Sequence, residues 1–319
     1  MTPETLTYLD RATVGRLLPD VVGRMDAIER TYRAMADGGV ENPPKIGVHP
    51  RPDSFLHAMP AHLAGDDVTA VKWVSAYPGN PARGLPYISG LIVLNDSDTG
   101  LPVAVMDGAE ITAVRTAAAS GVSIRHLAPE GWDRVAILGY GEQGRAHVPV
   151  VRALNPDATI TVYGGRRLRG PLPRLESAGA ESAGVELADD ARAAVEGADV
   201  VVTAGPMRPD PSRTLERAWL TGRVLVVPVD FDGYVPAEVV NASDLFVTDD
   251  GGQFEAYRAK GHFDRWREPD ASLGEALTRS PRGDLRVSCS LGVGAIDAAL
   301  AGEIWRRARA EGAGVPLPR

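Results

Sequence analysis

The chain is nearly devoid of cysteine. Its single one, Cys289, excludes an intrachain disulfide and fits a reducing compartment. Positive charge is not in excess: 34 Lys and Arg face 42 Asp and Glu, giving a net charge of −8. With no basic stripe either, an electrostatic nucleic-acid binder is excluded. No run of about 18 uncharged apolar residues occurs, so no membrane span or membrane partner is expected. Residues Met1 to Asp20 carry Glu4, Asp10 and Asp20 and lack an apolar stretch of signal-peptide length, so a cytoplasmic location is expected. Histidine is scarce, and His57 and His62 have no third ligand at metal spacing, so no metal site is expected. The Gly-x-Ser-x-Gly elbow of a serine hydrolase is absent.

What is present suffices for a soluble enzyme. Apolar residues make up 44% of the 319, and a length of about 150 residues per domain predicts two domains. Leu17, Leu18, Val21, Val22, Met25, Ile28, Tyr32 and Met35 recur at helical spacing, predicting helix from Ala12 to Gly38. Val68 to Ser75, Tyr87 to Leu94 and Leu101 to Met106 read as strands. The turn formers Asn95 to Gly100 join the last two as a hairpin, so this sheet is expected to be antiparallel. A helix is predicted from about Ala109 to Leu127. After Ala128 to Gly131 the texture changes. Short apolar strands at Arg134–Leu138, Thr159–Tyr163, Asp199–Ala204, Arg223–Val229 and Asp244–Thr248 alternate with helical stretches. That alternation predicts an α/β domain with a parallel sheet. The domains are therefore placed at residues 1–127 and 128–293, followed by an Ala-rich helix within 294–319.

The sharpest local motif is Gly139-Tyr-Gly141-Glu-Gln-Gly144, set between a strand and a helix. Gly139 makes the tight turn, Gly141 lets a pyrophosphate approach the backbone, and Gly144 lets the helix pack on the strand. The amides at the start of that helix, around Glu142 and Gln143, then face phosphate oxygens. Arg145 is a further candidate phosphate contact. The second strand runs into Arg166 and Arg167 where an NAD enzyme usually has Asp or Glu for the ribose hydroxyls. Arginines there suit a 2′-phosphate, so NADP is preferred over NAD as cofactor; a solvated basic loop is the plain alternative.

Three lone cations, Lys45, Lys72 and Arg115, lie within apolar surroundings. Each reads either as an outward-facing residue of a half-buried element or as part of a group converging on a carboxylate. Around them lie His57-Ala-Met-Pro-Ala61, Lys72-Trp-Val-Ser75, Gly84-Leu-Pro86, Ser89 to Leu94, Thr99-Gly-Leu-Pro102, Met106-Asp-Gly108 and Thr112-Ala-Val-Arg-Thr-Ala-Ala-Ala-Ser120. With the glycine fingerprint in its place, these stretches resemble the ornithine cyclodeaminase and mu-crystallin family from about Asn42 to Leu300. The resemblance implies a Rossmann-type nucleotide domain. It also implies an antiparallel-sheet α+β domain for substrate binding and dimerisation, to which the helix Gly294–Glu311 returns.

The resemblance further implies a site. Lys72 and Arg115 match cations that hold the substrate carboxylate, and Lys45 takes the place of a third, usually Arg. Asp230 matches the acid/base aspartate, with Asp232 as a rival. Thr203, Thr116 and Ser290 match cofactor contacts, and Leu291 lies in the stretch near the nicotinamide and substrate. His57 stands where the cyclodeaminase has a Glu for the distal ammonium, which argues against ornithine. The expected activity is hydride transfer at the α C–N bond of a small amino or imino acid, as in an amino-acid dehydrogenase or ketimine reductase. The alternatives are a cyclodeaminase releasing ammonia and a non-catalytic nucleotide-binding protein. The expected partners are a small amino or imino acid and a second copy of the chain.

Overall fold

Helical spacing near the start of the chain builds two helices rather than the one predicted. Helix α1 (Arg11–Leu17) stops before Pro19, and α2 (Val21–Ala36) starts after it. Proline has no amide hydrogen to continue a helical ladder. Asp10 and Asp20 each accept a hydrogen bond from an amide three residues on, Thr13 and Gly23, and so cap the two starts. The fold is given by a computed structural model that describes residues 5–164, 184–206 and 211–318. The chain divides into two compact units, Met1–Arg115 with Gly292–Arg319, and Thr116–Leu291.

The first unit is built on a mostly antiparallel sheet of β1 (Thr5–Leu9), β2 (Val40–Glu41), β3 (Ile46–Val48), β4 (Phe55–Leu63), β5 (Val68–Ala76), β6 (Ile88–Asn95), β7 (Pro102–Asp107) and the last strand, Val315–Pro318. The order runs from the last strand through β1, β7, β6, β5 and β4 to β2, with β3 also on β4. Only the β1–β7 pair is parallel among these described strands. Alternation sorts the side chains of β5: Val68, Ala70, Lys72, Val74 and Ala76 are buried on one face. The C-terminal helix (Gly294–Glu311) packs on β4, β5 and β6. The opposite face keeps an apolar row open, in which register aligns Ile46, Ala58, Trp73 and Leu91. Ile46 is 71% exposed and Trp73 45%.

Helix α3 (Gly108–Leu127) begins where Asp107 accepts from the Glu110 amide. The compact units divide within α3, after Arg115, whereas the sequence reading put the boundary at its end.

The second unit is an all-parallel sheet. Its order is β10 (Val185–Leu187), β9 (Thr159–Tyr163), β8 (Arg134–Leu138), β11 (Val200–Thr203), β12 (Val224–Pro228), β15 (Leu285–Cys289), β13 (Leu245–Thr248) and β14 (Ala271–Ser272). Continuous Val, Ile and Leu runs suit strands buried on both faces. Strand β15, not predicted from sequence, lies between β12 and β13. Helix α4 (Glu142–Leu154) carries a fully buried His147, whose Nδ1 meets the Gln143 carbonyl at 2.7 Å and whose Nε2 meets Ser120 Oγ at 2.8 Å. Burial pulls its imidazole down to about 4, so it is neutral at ordinary pH. Among the described residues no helix is long and apolar enough to cross a membrane.

Candidate active site

Lys72 sits mid-strand on the buried face of β5, directly opposite Met59 and Ile92. It is 1% exposed, so the outward-facing reading of this lysine fails. Its ammonium lies 2.5 Å from Asp297 Oδ2 and 3.4 Å from Thr112 Oγ1. Thr112 and Arg115 are three apart on α3 and thus share a helix face. Arg115 Nε is 3.3 Å from the other oxygen of Asp297, an ion pair without hydrogen-bond alignment. Its terminal nitrogens abut Gly292: a Cβ there would lie 2.7 Å from Nη1. Lys45 donates to the carbonyl of the same Gly292 at 3.3 Å and is 9% exposed. Three cations from a loop, a strand and a helix therefore converge around Gly292 and Asp297.

Removing so much charge from water is costly unless it is paired. Burial pulls the Lys72 ammonium down to about 8; Asp297 opposes that, and Arg115 adds to it. Lys72 and Arg115 share one carboxylate, one cation on each oxygen. Among the described residues no group accepts a hydrogen bond from the buried Arg115 Nε. A planar fork in that state suits bidentate binding of a carboxylate. His57 lies on the same buried face of β4 as Met59, stacked on Phe55 with ring centroids 4.1 Å apart. Asp297 was missed in the sequence, where it is one of three acids in an Ala-rich helix.

The second unit holds the glycine loop. Gly139 has φ +98°, and a Cβ on it would run into the Ala204 carbonyl oxygen; one on Gly144 would run into that of Gly139. Backbone is so close at both positions that only glycine fits. A Cβ on Gly141 would meet nothing within 4 Å. Gly141 is the N-cap of α4, with no side chain capping it, so the amides of the first turn at Glu142 and Gln143 stay available for an anion. Arg145 Nη1 donates back to the Tyr140 carbonyl at 3.2 Å. The cradle fits a dinucleotide pyrophosphate. Arg166 and Arg167 lie outside the described residues.

Asp230 follows β12 and is 3% exposed. Thr203 Oγ1, at the end of β11, donates to its Oδ1 at 2.5 Å, and the Gly205 amide donates to its Oδ2 at 2.9 Å. Burial pushes Asp230 up to about 6 against these two hydrogen bonds, and Asp232 pushes the same way as burial. Phe231, between the two acids, takes a left-handed φ of +59°. Asp232 points elsewhere, 3.5 Å from His262 Nδ1 and 3.3 Å from the Phe263 amide. Burial pushes Asp232 up too, but the His262 hydrogen bond and charge outweigh it and hold it below the usual range. Leu291 donates its amide to the buried Asp249 at 2.9 Å. Ser290 Oγ, Thr248 Oγ1 and Gln143 Oε1 are buried without a hydrogen-bond partner. Thr116 begins this unit on α3, and its carbonyl accepts from Ser120 at 3.4 Å. Asp249 and Thr248 were not foreseen; both sit at the end of β13, where ligands of open parallel sheets bind.

The Ornithine cyclodeaminase/mu-crystallin family profile matches residues 9–259. Nodulation efficiency protein NfeD of Rhizobium meliloti is 37% identical over 254 residues, covering 78% of this chain and 77% of its own. Alanine dehydrogenase of Archaeoglobus fulgidus is 28% identical over 306 residues, covering 91% of each chain. The fold is that of Thermococcus litoralis Delta(1)-pyrroline-2-carboxylate reductase, solved with NADH and L-proline: the TM-score is 0.83 at 24% identity, over 97% of this chain and 99% of that one. The chain belongs to the ornithine cyclodeaminase/mu-crystallin family.

Proposed function

We propose that the protein transfers a hydride at the α C–N bond of a small amino or imino acid, as an amino-acid dehydrogenase or imine reductase dependent on NAD(P). One observation carries this reading: Lys45, Lys72 and Arg115 converge in the first unit around Gly292 and Asp297, and Arg115 Nε has no hydrogen-bond acceptor. The three cations bind the substrate carboxylate and so fix the orientation of the α-carbon. Thr116, Thr203, Ser290 and the loop Gly139–Gly144, with Arg145, hold the nucleotide. A bound nicotinamide dinucleotide supplies or accepts the hydride. NADP is the preferred form, resting on Arg166 and Arg167.

Asp230 exchanges a proton with the substrate nitrogen. Its acidity near pH 6 lets it act as acid in reduction and as base in oxidation. Asp232, committed to His262 and Phe263, is the poorer candidate. We assign His57 and Leu291 to recognition of the substrate, and an imidazole in place of a carboxylate disfavours a distal ammonium. The relationship to alanine dehydrogenase supports the same chemistry. The open row of Ile46, Trp73 and Leu91 supports a homodimer through the first unit's sheet. The buried Cys289 fits the cytoplasm.

The test mixes the protein with NADPH or NADH and either pyrroline-2-carboxylate or pyruvate plus methylamine, and follows nucleotide absorbance. Oxidation of the nucleotide is expected. Silence in every case, with proline and ammonia formed from ornithine and a trace of nucleotide, would establish the cyclodeaminase alternative. Silence in all assays with intact nucleotide binding would leave a binding protein.

A further inference from the structure

Asp297 lies in the first turn of the C-terminal helix and is 1% exposed. A carboxylate near a helix N-terminus is favoured by the dipole, a role that does not require full burial. Asp297 does not cap its helix, whose start has no side-chain cap. Each of its oxygens instead faces one cation: Oδ2 faces Lys72 at 2.5 Å and Oδ1 faces Arg115 at 3.3 Å. The two cations reach it from β5 and α3, and their own repulsion would drive them apart without an acid between them. The Oδ1 contact lacks hydrogen-bond alignment, so Asp297 holds Arg115 by charge and leaves its Nε without a hydrogen-bond partner.

We propose that Asp297 is a positioning residue: it anchors Lys72 and Arg115, one on each oxygen, and fixes the spacing at which they meet a substrate carboxylate. This inference rests on the proposed function. The groups that face Lys72 are Arg115 and Thr112 from α3, Asp297 from the C-terminal helix, His57 and Met59 from β4, and Ile92 from β6. Asp297 is thus the acid that opposes the loss of the Lys72 proton.

The experiment compares wild type, Asp297→Asn and Asp297→Glu in the full chain. Kinetics with pyrroline-2-carboxylate and NADPH are measured from about pH 6 to about pH 9.5. Calorimetry follows pyrrole-2-carboxylate, an unreactive planar carboxylate, over the same range. Asp297→Asn is expected to raise KM and the calorimetric Kd about tenfold at about pH 8 while kcat changes less than about threefold. The pH above which binding weakens moves down by about one unit, and acidification restores affinity. Asp297→Glu keeps that pH and weakens binding throughout. A merely structural aspartate would change kcat and KM together and move no pH break.

An unchanged Kd and an unmoved break in Asp297→Asn would overturn the proposal. Should that variant fail to fold, an affinity within about twofold of wild type in Asp297→Glu overturns it instead. Wild type that binds pyrrole-2-carboxylate through Asp297 but turns over no imino acid sinks the hydride-transfer reading alone. Wild type that binds no carboxylate sinks both.

Discussion

Replacing Thr203 by valine exchanges a hydroxyl for a methyl of similar shape at a fully buried position and removes one of the two hydrogen bonds to Asp230. A hydrogen bond to a charged carboxylate contributes about 1.5–3 kcal/mol, against about 0.5–1.5 kcal/mol for a neutral pair. The difference, about 1–1.5 kcal/mol, corresponds to about one pKa unit. Asp230, at about 6 in the wild type, should therefore move to about 7. In the direction of imine reduction the acid form is needed, so the fall of kcat/KM at rising pH should start about one unit later in the variant.

Stability gives a second readout that needs no substrate. An Asp whose folded pKa is raised stabilises the fold fully below its unfolded value and loses that contribution as pH rises through the folded one. With the folded value moved up, the cost of Thr203→Val should be about 1–1.5 kcal/mol larger at pH 8 than at pH 5, measured by urea unfolding. Equal costs at both pH values, with an unmoved kinetic break, would refute the assignment of this hydrogen bond to Asp230.

Arg115→Ala should abolish turnover while nucleotide affinity stays within about tenfold, or about 1.4 kcal/mol, by fluorescence titration. Gly141→Ala should fold like wild type, since its Cβ meets nothing within 4 Å, yet lose at least about tenfold in nucleotide affinity. Gly144→Ala should instead lower the melting temperature, because its Cβ meets the Gly139 carbonyl. Trp73→Glu places a charge on the open apolar row and should yield a monomer in sedimentation velocity without unfolding the first unit.

Local rules made the second unit largely readable. β8 and β9 start and stop at the expected residues because apolar runs bounded by Gly, Asn and Asp specify them without outside help. β15 was passed over although Leu-Arg-Val-Ser-Cys alternates apolar and polar residues after Gly283 and Asp284; that pattern suits a half-exposed strand, whereas all five residues are buried between β12 and β13. β4 was obscured by Pro60 and two histidines. The break at Pro19 was legible in principle, but the helical spacing runs on past it.

In the site, the types of Lys45, Lys72 and Arg115 could be noted but not their convergence, since three elements must pack before the charges meet. Asp297 lies 225 positions from its lysine partner, and no local pattern links them. The two acids near the end of β12 could be told apart only by their hydrogen-bond donors, Thr203 and Gly205 for one, His262 and Phe263 for the other.

The nucleotide unit meets mild acid with two buried groups, His147 and Asp230, shifted in opposite directions. An imidazole held near 4 in the fold and near 6.5 when unfolded withdraws about 3 kcal/mol of stability as the solution is acidified across that interval. Asp230, shifted the other way from 3.8 to about 6, returns about the same amount over nearly the same interval. The two buried groups compensate each other, so the resistance of this unit to mild acid is set by a balance between a structural histidine and the site's own carboxyl group.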